Sequence, residues 1–534
     1  GLDGIELEAY GHLMDSFWSP RLNQRDDGWN GALDARLRFA FEVIAAIRRA
    51  VGAEFIVGIR MVADEMVEGG ISRAEGVQIA QRIAASGQFD FINLIRGNID
   101  SDASLTKVIP IAGMASAPHL DFAGDLRAAT KFPLFHAARI ADVATARHAV
   151  ATGKLDMVGM TRAHLADPHI SAKVMAGDEA RIRPCVGATY CLDRIYENGD
   201  ALCIHNAATG REAVMPHVIA RSERLRRVVV VGAGPAGLEA ARALGARGYR
   251  VTLAEATREL GGRVLREAAL PGLREYIRVR DYREQALRDM PNVGIFRESR
   301  LTAQDVLDVG ADHVAIATGA HWRKDVFDGE VFYPVAKGAA EAHILTPDDI
   351  MAGRLPDGPT VVYDGDGYYM GGVVAERLRA AGLDVTLATP DDSLSRWAGH
   401  TAERWRVRRH LQGLGVRFEP AREIAGFDGR AVVLPCAYGG AELTLPATHL
   451  VMVSARRPED GLYQDLRALA GPLPFSLTRI GDCEAPAIIA AAVHAGHRYA
   501  QELDAPVDPD LPMKHDRIDV GAPVGAAETR GEPT

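Results

Sequence analysis

Basic residues are not in excess in this chain. Over 534 residues the formal net charge is −10, which removes the electrostatic case for nucleic-acid binding. Long apolar runs are missing too, and no stretch approaches the roughly 20 residues needed to span a bilayer. The opening residues, Gly1 to Met14, lack the basic start and small-residue cleavage site of a secretory signal. Cysteine is scarce at five, too few for a disulfide framework in so long a chain, so a reducing cytoplasm is expected. What remains is the balance of an ordinary globular protein, 47% hydrophobic and 25% charged, with length for about two to four domains. Three of the five cysteines, Cys185, Cys191 and Cys203, lie close together and need an explanation.

The most informative stretch is RVVVVGAGPAGLEAARALGARGYRVTLAEA. An apolar strand, Val228 to Val231, runs into Gly232, Gly234 and Gly237, then a helix, a second strand and Glu255. Gly232 permits the tight turn, Gly234 lets backbone approach a pyrophosphate, and Gly237 lets the helix pack on the strand. Glu255 can accept a bond from a ribose hydroxyl, and the helix N-terminus offers unpaired N–H donors to the phosphates. With strand, helix and acid in register, this unit predicts an adenine dinucleotide or an ADP-like ligand.

Upstream, short apolar strands alternate with helical patterns. Strands are expected near 4–8, 55–60, 91–95, 133–138 and 157–160, with helices such as 35–50, 73–85 and 143–151 between them. That alternation means a parallel sheet, either an open one or a (β/α)8 barrel. Glu8, Tyr10, His12, Arg60, Arg96, Arg139 and Arg162 fall at strand ends, where a barrel carries its active site. Five strands are too few to close an eight-stranded barrel, so about three more are expected upstream or from another chain.

SPRLNQRDDGWNGALDARLRF resembles the signature after strand four of old-yellow-enzyme-type flavin barrels, through Asn23, Arg25, Asp27, Trp29, Gly31 and Arg36, with Asn30 in place of a glycine. MVGMTRAHLADP resembles that family's strand-eight phosphate loop and HAARI its strand-seven loop. The resemblance implies FMN, with Arg162 and Arg139 on the phosphate and Arg60 beside the pyrimidine, where a cation stabilises reduced flavin.

Residues 181–223 link this part to the dinucleotide unit. The arrangement resembles the branch containing trimethylamine dehydrogenase, histamine dehydrogenase and 2,4-dienoyl-CoA reductase, in which four cysteines at this junction hold a [4Fe–4S] cluster. Cys185, Cys191 and Cys203 match three of them; Ala188 stands at the second position, and His205 could supply a fourth ligand. An iron–sulfur cluster, a Cys3His zinc and buried free thiols all stay open.

The same branch implies two interleaved Rossmann-like units. The first spans 224–340 and resumes at 454–504, binding FAD or ADP through Gly262, Arg263, Thr318, Gly319, Gly481 and Asp482 as well as the first glycine loop. Inserted at 341–453 is TVVYDGDGYYMGGVVAERLRAAGLDVTLATP. Met370 occupies its third glycine position, where a side chain should push the helix off the strand, and the next strand ends Leu387-Ala388-Thr389-Pro390 without an acid or arginine. A nicotinamide cofactor is therefore disfavoured. Residues 505–534 read as a flexible or surface-hugging tail.

Substrate should lie over FMN at the mouth of the barrel. Tyr10 and His12, with Glu8, resemble the amine-contacting group of the amine dehydrogenases, and Arg96 would clamp a carboxylate. The chain as a whole most resembles demethylases of dimethylglycine or N-methylproline. This implies hydride transfer to FMN, hydrolysis of the iminium to formaldehyde and a secondary amine, and electrons passing to an electron-transferring flavoprotein or ferredoxin-like partner. An oligomer is expected. The alternatives are an NADPH-dependent dienoyl-CoA or enone reductase and a non-catalytic electron-transfer subunit.

Overall fold

A computed structural model describes residues 1–224, 226–327, 332–333 and 341–505. Its first part is a parallel sheet of β1 (Gly4–Ala9), β2 (Ile56–Val62), β3 (Phe91–Ile95), β4 (Leu134–His136) and β5 (Met157–Val158). The five strands lie side by side in chain order. An order that never reverses is that of a barrel wall, since a doubly wound sheet has a switch point. Period-two alternation in β2 puts Val57, Ile59 and Met61 in the core with Leu37, Ile44, Ile79 and Ile83 from the helices. Gly58 and Arg60 take the other face, and Gly58 is forced: a Cβ there would lie 2.0 Å from the Phe91 ring. The signature after β1 is structural. Asn23 Nδ2 donates to the Phe17 and Trp29 carbonyls at 2.8 Å, and buried Arg36 bridges the Trp18 carbonyl to Glu75.

The second part is two parallel sheets wound into each other. One runs Ser476–Arg479, β9 (His313–Ile316), β6 (Arg227–Val231), β7 (Arg250–Ala254), β8 (Val293–Phe296). The chain leaves this sheet after β9, builds the other from Ile344–Leu345, His449–Val453, Thr360–Asp364, Val385–Ala388 and Arg417–Glu419, and returns for the last strand. One apolar cluster joins the cysteine segment (Val186, Ile204), the first sheet's helices (Val264, Tyr276) and the inserted unit (Val362, Met370, Val374). Among the described residues no helix is long and apolar enough to cross a membrane. The expected tail lies outside the described residues from 506 onward.

Two buried polar features shape the stability of this frame. Glu239, in the helix Pro235–Arg247, receives Arg242, Arg283 and His497, and all four side chains are buried. His136, 2% exposed at the end of β4, donates from Nδ1 to the Leu94 carbonyl at 2.8 Å, and its Nε2 is buried without a partner among the described residues. Burial holds its pKa down at about 4, against 6.5 in the unfolded chain. Below pH 6.5 the unfolded chain takes up a proton that the folded chain refuses. The stabilisation is therefore complete above that pH and is lost between 6.5 and 4, by about 3 kcal/mol. A His136→Gln variant is expected to show a flatter fall of thermal midpoint over that interval; an unchanged slope would assign the acid sensitivity elsewhere.

Candidate active site

The C-terminal ends of β1 to β5 open into one cavity of about 340 Å³. Tyr10, Arg60, Arg139 and Arg162 line it, and so do Cys185 and Cys191. Each arrives by a different route. Arg60 comes from the inward face of β2, opposite Glu8 of β1 and Asn93 of β3 in the strand register. Arg60 pairs with Glu6 at 2.8 Å and with Glu8 at 3.7 Å, and Asn93 Nδ2 reaches the other Glu6 oxygen at 2.9 Å. Tyr10 follows β1; burial, then the Glu8 charge, pushes its phenol above the usual range, so it stays protonated.

Arg139 and Arg162 sit on the loops after β4 and β5. Ala138 and Arg139 are consecutive residues in the left-handed region, with φ of 79° and 57°. Each costs about 1–2 kcal/mol outside glycine, so the surroundings must enforce them. Ala117 N–H and Ser116 Oγ hold the Arg139 carbonyl, and the Arg139 guanidinium bonds the Ile111 carbonyl and Glu275. Strained backbone of this kind gathers at ligand sites. Arg162 Nη2 donates to the Pro110 carbonyl at 2.9 Å, while its Nη1 is buried with no partner among the described residues. Burial lowers its pKa, which the Cys185 and Cys191 thiols partly oppose. A buried, unanswered guanidinium N–H next to a strained loop fits an anion, and these residues fit the phosphate of FMN.

The other expected catalytic residues do not all converge. His12 is exposed and caps the helix Leu13–Trp18, its backbone N–H on Asp15. Arg96 lies outside the cavity lining, paired with Asp64 at 3.0 Å and stacked 4.7 Å from the Phe122 ring. The carboxylate clamp expected at Arg96 is therefore not formed, because alternation along β3 turns Asn93 and Ile95 inward and Arg96 away. Asn93 and Glu275 are lining residues that sequence reasoning missed. The β3 alternation could have found Asn93; Glu275 comes from the nucleotide-binding part, and nothing local marks it.

The cysteine segment forms one wall of this cavity. Cys185 Sγ accepts the Gly187 N–H and Cys203 Sγ the His205 N–H, both at 3.4 Å. Burial pushes the Cys203 thiol up to about 11, and the Cys185 and Cys191 thiols add to that. His205 does not complete a Cys3His set. Its Nδ1 accepts from Arg283 at 3.0 Å, which leaves the proton on Nε2 and no free ring lone pair for a metal. Ala188 is 3% exposed and offers no ligand. Among the described residues the one group of three whose metal-binding atoms lie within 4.8 Å is Asp193, Glu197 and His400. The segment supplies three thiols without a fourth protein ligand, so a zinc of the Cys3His kind does not fit it.

The dinucleotide loop has the geometry its glycines foretell. Gly232 has φ of 100°, and a Cβ on Gly237 would lie 1.8 Å from the Gly232 carbonyl oxygen. In front of Gly234 the space is open, with Gly262 packed behind it. Glu255 accepts the Ala233 and Thr257 N–H groups at 2.8 Å and so closes the loop. Beyond the pyrophosphate position Asp482 is already engaged, by Arg263 at 2.8 Å and Arg456 at 2.7 Å. Arg263 also holds Glu267, which takes the Tyr369 hydroxyl at 2.6 Å. Thr318 Oγ1 bonds the Glu459 carbonyl, while Gly319 and Gly481 turn with φ of 86° and 64°.

In the inserted unit the helix is not pushed off its strand. Gly371 makes the close approach that Met370 cannot: a Cβ there would lie 2.3 Å from Asp364 Cγ. The floor of that loop is acidic. Asp364 is fully buried, with one oxygen on the Gly367 N–H and the other unpartnered, and burial with Asp366 and Asp391 nearby pushes it up to about 8. Asp391, just past the strand end, lies against Gly367 and pairs with Arg396. Asp364 is thereby held mostly protonated near neutral pH, so the charge opposing a pyrophosphate at this loop comes from Asp366 and from Asp391, which Arg396 partly offsets.

A barrel wall with an FMN-type phosphate site, followed by interleaved nucleotide-binding units, defines a flavin-dependent oxidoreductase. The pattern of the NADH:flavin oxidoreductase / NADH oxidase family matches residues 1–180, and that of the pyridine nucleotide-disulphide oxidoreductases matches 226–469. The chain belongs to the flavoprotein family of trimethylamine dehydrogenase, histamine dehydrogenase and 2,4-dienoyl-CoA reductase, as a flavin-dependent amine dehydrogenase or demethylase. It is 42% identical to the probable N-methylproline demethylase of Rhizobium meliloti (strain 1021), over 94% of this chain and 76% of that protein. It is 37% identical, with the same coverage, to the multifunctional alkene reductase/demethylase of Caballeronia cordobensis. The structure of histamine dehydrogenase from Rhizobium sp. 4-9 superposes with a TM-score of 0.88 at 36% identity, over 98% of this chain and 77% of that one.

Proposed function

We propose that this protein oxidatively demethylates a small N-methylated amino acid, of the dimethylglycine or N-methylproline kind. The observation that carries this is the single cavity holding Tyr10, Arg60, Arg139, Arg162, Cys185 and Cys191 together. Bound FMN supplies the acceptor for two electrons and a proton from an N-methyl C–H. The chain's own residues prepare the amine. Tyr10, protonated, orients it by a hydrogen bond and is not the base, while the Glu8 carboxylate can pair with a cationic nitrogen. Arg139 and Arg162 hold phosphate, and Arg60 brings positive charge to the wall. The oxidised N–CH₂ carbon then takes up water and leaves as formaldehyde, giving back the secondary amine. A soluble electron-transferring flavoprotein or ferredoxin-like protein fits as acceptor, with the Cys185 and Cys191 thiols in the wall of the cavity. The crowded Asp482 favours ADP over intact FAD at the Gly232 loop.

The alkene reductase activity named for the Caballeronia relative supports a second reading, reduction of an activated alkene. The test is anaerobic mixing of the oxidised protein with dimethylglycine, N-methylproline, trimethylamine and NADPH while flavin absorbance is followed. Bleaching by an N-methyl amino acid, with formaldehyde released, is expected. Bleaching by NADPH alone would replace this function with the reductase and show that the acidic Asp364–Asp366 loop accepts a dinucleotide.

A further inference from the structure

The inner face of the barrel wall carries an acid that the reaction described above does not use. Glu6, on β1, gives one carboxylate oxygen to Arg60 of β2 at 2.8 Å and the other to Asn93 of β3 at 2.9 Å. Arg60 and Asn93 line the flavin cavity, whereas Glu6 stands outside the lining. To reach Asn93 the Glu6 side chain crosses β2, a span of two strand spacings or roughly 10 Å. Its register partner on β2 is Gly58, which has no side chain to block the crossing. Three neighbouring strands are thus tied by one carboxylate.

The tie decides which atoms the cavity meets. A carboxylate can only accept, so the Asn93 amide turns its NH2 to Glu6 and keeps Oδ1 as its other polar atom. No donor among the described residues is bonded to that oxygen. Arg60 is a cation in the same wall, but Glu6 answers its charge, and Glu8 lies 3.7 Å from its other terminal nitrogen. With Arg60 neutralised, Asn93 Oδ1, the Tyr10 phenol oxygen and the Glu8 carboxylate are all acceptors. That set suits a ligand that brings N–H and positive charge together.

We propose that Glu6 is a positioning residue: it locks Arg60 and turns Asn93 so that an acceptor, not a donor, meets the N–H of a protonated amine. Asn93 is then a specificity-determining residue that touches the substrate, and Glu6 acts through it. This rests on the reading of the cavity as an amine site. Glu6→Gln keeps the size of the side chain and reverses the logic. The new amide can donate to Asn93, which then flips and shows its NH2 to the substrate. It also removes the charge that balances Arg60, leaving more positive potential beside reduced flavin.

Two readouts on the full-length holoenzyme test this. The flavin midpoint potential, titrated without substrate, should rise in Glu6→Gln while FMN stays bound. The KM for dimethylglycine and N-methylproline should rise about tenfold or more, with kcat less affected. Adding Asn93→Asp to Glu6→Gln should bring both values back toward the parent, because a carboxylate at 93 accepts from the glutamine and again offers an acceptor to the cavity. If Glu6→Gln fails to fold, Asn93→Ala, which spares the Arg60 pair, should raise KM by a similar factor and leave the potential unchanged. Parent-like KM in these variants would overturn the proposal, and so would a loss that Asn93→Asp does not rescue. The potential needs no substrate, so failure of the demethylation reading shows separately, as no bleaching of the parent protein by any N-methyl amino acid.

Discussion

Arg162→Ala should give a folded protein that has lost nearly all its FMN after dialysis, with no amine-dependent bleaching. The guanidinium comes from the loop after the last strand of the barrel wall, and its buried Nη1 has no partner among the described residues. Charge-assisted hydrogen bonds to phosphate contribute about 1.5–3 kcal/mol each, so losing a forked pair should weaken FMN on the order of 10²- to 10⁴-fold. Arg162→Lys should recover part of this, since an ammonium keeps the charge but not the fork. Nucleotide held at the Gly232 loop should be unaffected, which separates site loss from unfolding. Normal FMN content in Arg162→Ala would move the phosphate away from this loop.

The largest loss of stability is expected from Glu239→Ala. Glu239 is 2% exposed and receives Arg283, itself 0% exposed, and Arg242. Removing the carboxylate leaves two guanidinium groups buried without an anion, a defect that costs about 3–5 kcal/mol. Arg283 also donates to the His205 carbonyl at 3.0 Å, so the damage should reach the cysteine segment. Burial alone would raise the Glu239 carboxyl, but Arg242 and Arg283, with His497, hold it well below 4.5. Its contribution is therefore present above pH 4.5 and is lost as pH falls through the folded-state value. Thermal midpoint and protease resistance of Glu239→Ala and Glu239→Gln would show this; a midpoint near that of the parent protein would mean water replaces the carboxylate.

The fold was legible where periodicity and glycine geometry speak locally. VVVVGAGPAGLEAA carries its whole context: Gly232 and Gly237 each have a steric reason for being there, and Gly234 keeps the space before the helix open. The five strands of the barrel wall stand where apolar runs fell, because each must bury one face against a helix. The lining of the candidate cavity was legible at Tyr10, Arg60, Arg139 and Arg162, which strand-end position and family resemblance both mark. It was not legible where a side chain's partner is distant in sequence. Arg96 stands at a strand end like Arg60, but Asp64 and Phe122 take it away. His205 follows Cys203 closely enough to suggest a ligand, yet Arg283, 78 positions on, occupies its lone pair. Met370 was expected to displace a helix, and the glycine one position later absorbs the contact instead.

The return of Ser476–Arg479 to pair with β9 has a consequence during synthesis. His313 leaves the ribosome 163 positions before Ser476, its partner in the ladder. At about 5–20 residues per second the edge of β9 waits roughly 10–30 seconds for its neighbour. Through that interval the inserted unit can fold while the sheet it interrupts cannot be completed. The dinucleotide unit, whose glycine loop is made first, is thus finished last, and its open strand edge is where a stalled or truncated chain would meet chaperones or aggregate.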